Sequence, residues 1–296
     1  MPLVKSLRFI AGHPLSRGGE LKSLWRFAKW QVASRLRPVT TVHDWVGGSK
    51  FLVRAGETGM TGNVYTGLHD FADMGYLLHV LRDTDLFVDV GANVGSYTIL
   101  ACAAVGARAI AFEPAPQTHA RLVENVRVNG AQSRVTCLNV GVGRDQGTVW
   151  FSGGSDTTNH IAATDEGGPD LIEVAVRTLD SAVAGESPSL VKIDVEGYEL
   201  PALEGAQRIL ANPSLHSMII ELNGSANRYG FDESRIVRMM WDKGFQMCSY
   251  DPFNRRLIDL GERSNAEGNT LFVRNREFVA HRLATAPPFR ILGKRV

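Results

Sequence analysis

From Asp85 onward the chain alternates short, β-branched apolar runs with segments of helical spacing, and that alternation leaves few folds open. Parallel strands need a crossover between them, and a sheet covered by crossovers on both faces reads as continuous apolar runs. Such runs are LFVDV (86–90), RAIAF (108–112), RVTCLNV (134–140), LVKIDV (190–195) and SMIIEL (217–222). Helical patterns occupy 96–104, 116–129, 200–210 and 233–243. TVWF (148–151) and IEVAV (172–176) read as short strands flanking Gly153, Gly154, Gly167 and Gly168, whose permissive backbone suits a loop. Segments 245–250 and 270–273 read as a hairpin closing the sheet edge. The expected fold is α/β, with a mostly parallel sheet flanked by helices.

The most informative run is FVDVGANVGSYT (87–98), where a strand ends in Asp89 and turns through Gly91, Asn93 and Gly95 into a helix. Glycines at such a turn let a ligand approach the backbone, and the helix offers its positive end. The run is neither a dinucleotide G-x-G-x-x-G, because Asn93 stands at the second glycine, nor a P-loop. The next strand ends in Glu113, 22 residues after Gly91, a separation that places a carboxylate to accept hydrogen bonds from both ribose hydroxyls. A ribose-bearing cofactor without a pyrophosphate requirement is implied.

Taken together, FVDVGANVGSYT, AFEP (111–114), ENVRVNG (124–130), NVGVGRDQG (139–147), VRTLD (176–180), VKIDVEGYELPALEGA (191–206), IIELN (219–223) and NTLFVR (269–274) resemble the FkbM methyltransferases over residues 85–273. The resemblance implies a class I methyltransferase fold, a Rossmann-like seven-stranded sheet with an N-terminal helical and extended appendage, and S-adenosylmethionine as cofactor. It implies that Asp89, Gly91, Ala92, Asn93 and Gly95 line the cofactor's amino-acid end, that Glu113, beside Pro114, holds the ribose, and that Val140, Gly141 and Val142 sit by the adenine. The segment before the first strand would cap the cofactor, making Tyr65, His69, Asp70 and Asp73 candidates for cofactor or acceptor contacts. The organisation expected is a capping segment over 1–81, a methyltransferase domain over 82–280 and a tail over 281–296.

KIDVEGYE puts Asp194 and Glu196 at the carboxyl end of a parallel strand, where open α/β sheets place their sites. Methyl transfer to oxygen is an in-line displacement, so alignment supplies much of the acceleration, and a nearby carboxylate or imidazole assists by taking the hydroxyl proton. The candidate catalytic residues are Asp194, Glu196 and His160, with Glu221 a further site-facing carboxylate; Asp194 also counts among the cofactor contacts. Converging carboxylates suit an oxygen-bound divalent cation, but no His pair has ligand spacing and no obligatory metal is expected.

The family resemblance implies O-methylation of a hydroxyl on a sugar, oligosaccharide or polyketide. A non-catalytic S-adenosylmethionine-binding module would lack Asp194 and Glu196, and a nicotinamide dehydrogenase is opposed by Asn93. The formal net charge of +1 gives no overall nucleic-acid footprint, and neither an Asn-Pro-Pro-Tyr run nor a basic catalytic region is present. The charge is nonetheless uneven. Residues 1–54 hold ten Lys and Arg against Glu20 and Asp44, a surplus of +8 that leaves −7 on the rest. Within them, residues 20–37 space Leu21, Leu24, Trp25, Ala28, Val32 and Leu36 as an amphipathic helix with interleaved cations. That apolar face would pack on the main domain or a second copy of the chain, rest on anionic lipid, or leave its cations to meet an anionic acceptor. Cys102, Cys137 and Cys248 match neither zinc nor disulfide spacing. With no membrane-length apolar run and no signal-peptide pattern, the cytoplasm is the expected compartment.

Overall fold

The computed structural model describes residues 3–36, 39–54, 60–152, 171–265 and 268–296. Helices α1 (Leu3–Gly12) and α2 (Glu20–Leu36) lead to a hairpin of β1 (Thr41–Asp44) and β2 (Lys50–Val53), then to α3 (Thr61–Thr66) and α4 (Phe71–Val80). The alternating region follows as β3 (Leu86–Val90), α5 (Ser96–Ile99), β4 (Arg108–Phe112), α6 (Pro116–Val128) and β5 (Val135–Leu138). Next come β6 (Gly141–Val142), β7 (Gly147–Ser152), β8 (Leu171–Arg177), α7 (Leu179–Ala182), β9 (Leu190–Ile193), α8 (Glu199–Glu204), α9 (Gln207–Ala211) and β10 (Ser217–Glu221). The chain closes with α10 (Glu233–Asp242), β11 (Gln246–Asp251), β12 (Arg256–Asp259), β13 (Asn269–Val273), α11 (Arg276–Thr285) and a short terminal hairpin.

The main sheet runs β12-β11-β13-β10-β9-β3-β4-β5, with β10 to β5 parallel and β13, β11 and β12 antiparallel. The sheet is mostly parallel, as expected, with eight strands where seven were expected. The additional β12 is mostly exposed and only four residues long, with Leu257 and Ile258 between Arg256 and Asp259, so its sequence carries no long apolar run. Strand β8 pairs with β7 on one side and with β6 on the other in a separate small sheet. The chain leaves the main sheet at Asn139, whose amide donates to the carbonyls of Glu113 and Pro114 at 2.9 Å each, so the expected strand over 134–140 ends early.

Strand β3 shows why the runs are continuous. Leu86, Val88 and Val90 join one core layer and Phe87 the other, each burial contributing on the order of 2 kcal/mol. The expected boundaries do not separate cores. Leu15, Val46 and Leu68 share a layer with Phe87, as do Leu283, Phe289, Ile291 and Val296 at the other end, and α11 crosses residue 280. The ENVRVNG run ties the N-terminal hairpin to α6. Asn125 Oδ1 accepts from Leu52 N at 2.7 Å and its amide donates to Val94 O at 2.8 Å, while Asn129 accepts from Lys50 N at 2.8 Å and donates back to Lys50 O at 2.6 Å. No helix among the described residues is long and apolar enough to cross a membrane.

The single helix expected over 200–210 is two, α8 and α9, parted at Gly205. A Cβ at Gly205 would lie 2.1 Å from the carbonyl oxygen of Gly143, so backbone meets backbone there. Gly205→Ala is expected to destabilise by about 1–3 kcal/mol, lowering the midpoint of thermal unfolding by several degrees. Gly147→Ala, where a Cβ meets nothing within 4 Å, should leave the midpoint unchanged.

Candidate active site

Chain order reverses between β3 and β9: the chain steps outward from β3 to β4 and β5, then crosses back to β9 and β10. Open α/β sheets bind ligands outside the strand ends at such a reversal. There a cavity of about 1000 Å³ opens. Its floor brings together Asp89, Gly91, Ala92 and Asn93 after β3, Glu113 and Pro114 after β4, Asp194 and Glu196 after β9, and Glu221 ending β10. Val140, Gly141 and Val142 form one side, continued by Val149, Phe151 and Val174 of the small sheet. Gly95 is not among the lining residues. A Cβ there would sit 2.6 Å from Leu122 Cδ1, so its bareness serves the packing of α6. Gly91 does line the cavity, yet its missing Cβ faces the Asp194 carbonyl oxygen, 1.8 Å from where that Cβ would be. With φ of 79°, 50° and 95° at Gly91, Asn93 and Gly95, the turn is left-handed at three positions.

The floor is acidic around one buried cation. Lys192, with 4% of its side chain exposed, donates from Nζ to Asp194 Oδ2 at 2.7 Å and lies 4.8 Å from the Tyr97 ring centroid. Burial alone would lower its pKa, but the Asp194 and Asp89 carboxylates more than offset this and hold the ammonium charged. Burial raises the pKa of Asp89, whose Oδ2 accepts from Thr98 Oγ1 at 2.6 Å while the buried Oδ1 has no partner among the described residues. Burial likewise pushes Glu113 up to about 7, even though Asn93 N and Ala115 N donate to its two oxygens at 3.0 and 2.9 Å. Glu221 is held well above the usual carboxylate range, by burial first and then by the charges of Asp194 and Glu196.

Asp194, Glu196 and Glu221 each bring an oxygen within 4.8 Å of the others. Three carboxylates so placed offer the oxygen donors that a hard cation takes, and Lys192 supplies a built-in positive charge beside them. Glu196 adopts φ 54°, a strained value for a residue with a Cβ and of the kind that clusters at functional sites. Glu199, which the sequence did not single out, braces this turn: its buried Oε1 accepts from Val195 N at 3.0 Å and Gly197 N at 3.1 Å.

The roof comes from the N-terminal elements. Tyr65, His69 and Asp70 line the cavity as expected of the capping segment; Asp73 does not. Tyr97 donates from its hydroxyl to Asp70 Oδ2 at 3.0 Å. Sequence reading missed Phe9 and Ile10 of α1 and Phe27, Gln31 and Arg35 of α2, which also line the cavity. Phe27, Gln31 and Arg35 recur every four residues, one row along a helix, a signal hidden by the larger apolar set elsewhere on α2. His160 and the glycines at 153, 154, 167 and 168 lie outside the described residues.

A family model of the methyltransferase FkbM domain matches residues 89–247, more than half of the chain and including every carboxylate of the cavity floor. The chain belongs to the FkbM methyltransferase family. Hexuronic acid methyltransferase AglP of Haloferax volcanii is 30% identical to it over 166 residues, 55% of this chain and 64% of the relative. Methyltransferase sdnD of Sordaria araneosa is 31% identical over 128 residues, 43% of this chain and 49% of its own. The chain therefore spans less than two thirds of the length of these relatives. The crystal structure of methyltransferase FkbM from Methylobacillus flagellatus KT aligns with 65% of this chain and 44% of its own, at 20% identity and a TM-score of 0.44.

In this member of the FkbM methyltransferase family the Glu199 brace carries a pH signature. Burial raises its pKa to about 7 from 4.5, so the folded state favours the protonated form. The stability this contributes is present in full below about 4.5 and is lost as pH rises through about 7. Glu199→Gln keeps an acceptor for both backbone amides and removes the ionisation. The variant's unfolding free energy relative to the parent should therefore grow by about 2–3 kcal/mol between pH 5 and 8, as read by urea denaturation. A difference independent of pH would remove the buried carboxyl from this account.

Proposed function

We propose that this methyltransferase transfers the methyl group of S-adenosylmethionine to a hydroxyl oxygen of a small molecule or glycan. The observation that carries the reading is the acid-rich floor where the strand order reverses, in which Asp89 Oδ1 is buried without a partner among the described residues, beside the Gly91–Gly95 turn. The residues present fit this cofactor. Its ammonium and sulfonium are cations, suited to a floor with more carboxylates than ammoniums. Asp89, Ala92 and Asn93 would hold its amino-acid end. Each oxygen of Glu113 accepts one backbone N–H and retains a lone pair for a ribose hydroxyl. Val142, Val149 and Phe151 offer apolar surface for a purine.

Bound there, the cofactor supplies an electrophilic methyl carbon. Glu196, which lines the cavity on the braced turn, would take the acceptor hydroxyl's proton as attack proceeds. Lys192 fixes one oxygen of Asp194 and leaves the other to orient the acceptor or the cofactor. Helices α1 and α2, through Phe9, Ile10 and Phe27, keep water from the reacting groups. Arg35 and Gln31 at the α2 side suit an acceptor rich in oxygen, and the arginine suits an anionic one such as the hexuronic acid for which one relative is named. The Asp194, Glu196 and Glu221 oxygens also make metal assistance a separate question, answered by whether chelation abolishes turnover.

Calorimetric titration with S-adenosylmethionine and, separately, NAD tests the cofactor. Saturable S-adenosylmethionine binding is expected, at least about tenfold weaker in Glu113→Ala and in Asp89→Ala, with no NAD binding; NAD binding alone would sink the reading. With methyl-labelled cofactor and a panel of hexuronosides, neutral hexosides and polyketide alcohols, a base-stable methyl ether is expected. A base-labile product would move the acceptor to a carboxylate, and cofactor binding without any turnover would favour a non-catalytic module. Glu196→Gln should lower kcat by roughly 10²–10⁴-fold while leaving S-adenosylmethionine affinity within about twofold.

A further inference from the structure

Helix α2 sits the opposite way round from the simplest reading of its sequence. Its inward face is set by Ser23 and Phe27, both buried: Phe27 meets the Tyr65 ring edge-on at 5.0 Å, Gln31 Nε2 donates to the Tyr65 hydroxyl at 3.2 Å, and Arg26 donates to the Tyr65 carbonyl at 3.0 and 3.2 Å. Of the six apolar positions that the sequence spaces on one side, Leu24 is half-buried against the cluster that holds Phe27, and the other five are exposed. Leu21 is 83%, Trp25 69%, Val32 57% and Leu36 76% accessible, and Ala28 between them is exposed too. At 100° per residue these five fall within one narrow sector, a row about 22 Å long.

Exposed Lys22 and Lys29 flank the stripe on one side and exposed Arg35 on the other. The helix has one acid, Glu20, whose carboxylate turns back to accept from Gly18 N at 2.8 Å. An aromatic and aliphatic strip bordered only by cations is complementary to an anionic lipid surface, where the indole sits at headgroup depth and the cations meet phosphate. It is a poor two-fold interface, because a second copy would bring Lys22, Lys29 and Arg35 against like charges with no acid to pair.

We propose that the outward face of α2, Leu21, Trp25, Val32 and Leu36 framed by Lys22, Lys29 and Arg35, docks this methyltransferase on an anionic lipid bilayer. Because Phe27, Gln31 and Arg35 of the same helix line the cavity, docking would hold the cavity within one helix diameter, about 10 Å, of the headgroups. That geometry favours an acceptor presented at the bilayer surface.

The test is co-sedimentation of the full chain with vesicles of phosphatidylcholine alone and of phosphatidylcholine containing phosphatidylserine, with no cofactor present, so the result stands apart from the catalytic reading. Binding to the anionic vesicles is expected, weakened by 0.5 M salt and at least about tenfold weaker for Lys22→Glu/Lys29→Glu and for Trp25→Glu. All these positions are exposed, and thermal unfolding of the variants should match the parent. Failure to bind anionic vesicles, or binding that neither variant weakens, overturns the proposal. So does a dimer in sedimentation velocity that Trp25→Glu dissociates in the absence of vesicle binding, which would assign the stripe to a second copy.

Discussion

Lys192 holds an ammonium between the ends of β3 and β9, where the strand order reverses and the chain's carboxylates converge. Asp89, buried on β3, would be costly to bury without it, and Asp194, just after β9, hydrogen-bonds the same ammonium. Tyr97 shields the same ammonium from the helix side and passes the connection on to Asp70 in the roof. A single cation thus ties the floor to its cover. Around it, Glu221 and Glu113 share a field in which not every carboxyl can be ionised together.

The fold was legible wherever burial left a mark on composition. Strands β3, β4, β9 and β10 are buried on both faces, so their runs are unbroken and their order follows from the crossovers. Strand β12 was illegible because an exposed edge strand needs no apolar pattern. The floor residues were legible for a related reason: the carboxyl ends of parallel strands are positions that topology alone brings together. The left-handed turn at Asn93 and Glu196 and the bracing role of Glu199 were not, since they depend on backbone geometry that no spacing rule encodes.

Helix α2 shows how periodicity finds an amphipathic face without saying which way it points. Six apolar positions were counted on one side, yet five are exposed and Leu24 packs beside the buried Phe27, because Tyr65 offers its ring to Phe27, its hydroxyl to Gln31 and its carbonyl to Arg26. A few specific partners outweighed a larger but unpartnered apolar area. The same preference explains why Phe27, Gln31 and Arg35 escaped notice as cavity residues: their pattern mixes aromatic, amide and guanidinium groups and has no hydropathy signature.

The asparagine clasp between α6 and the N-terminal hairpin has a further consequence. By donating and accepting at Lys50, and accepting at Leu52, Asn129 and Asn125 occupy the outer edge of β2 as a neighbouring strand would. An exposed strand edge is a template for another chain, and here two side chains blunt it. The hairpin's protection from hydrogen exchange is therefore borrowed from α6, so that its amides should open with that helix as one cooperative unit and any loosening of the cavity's roof would be felt in the sheet beneath it.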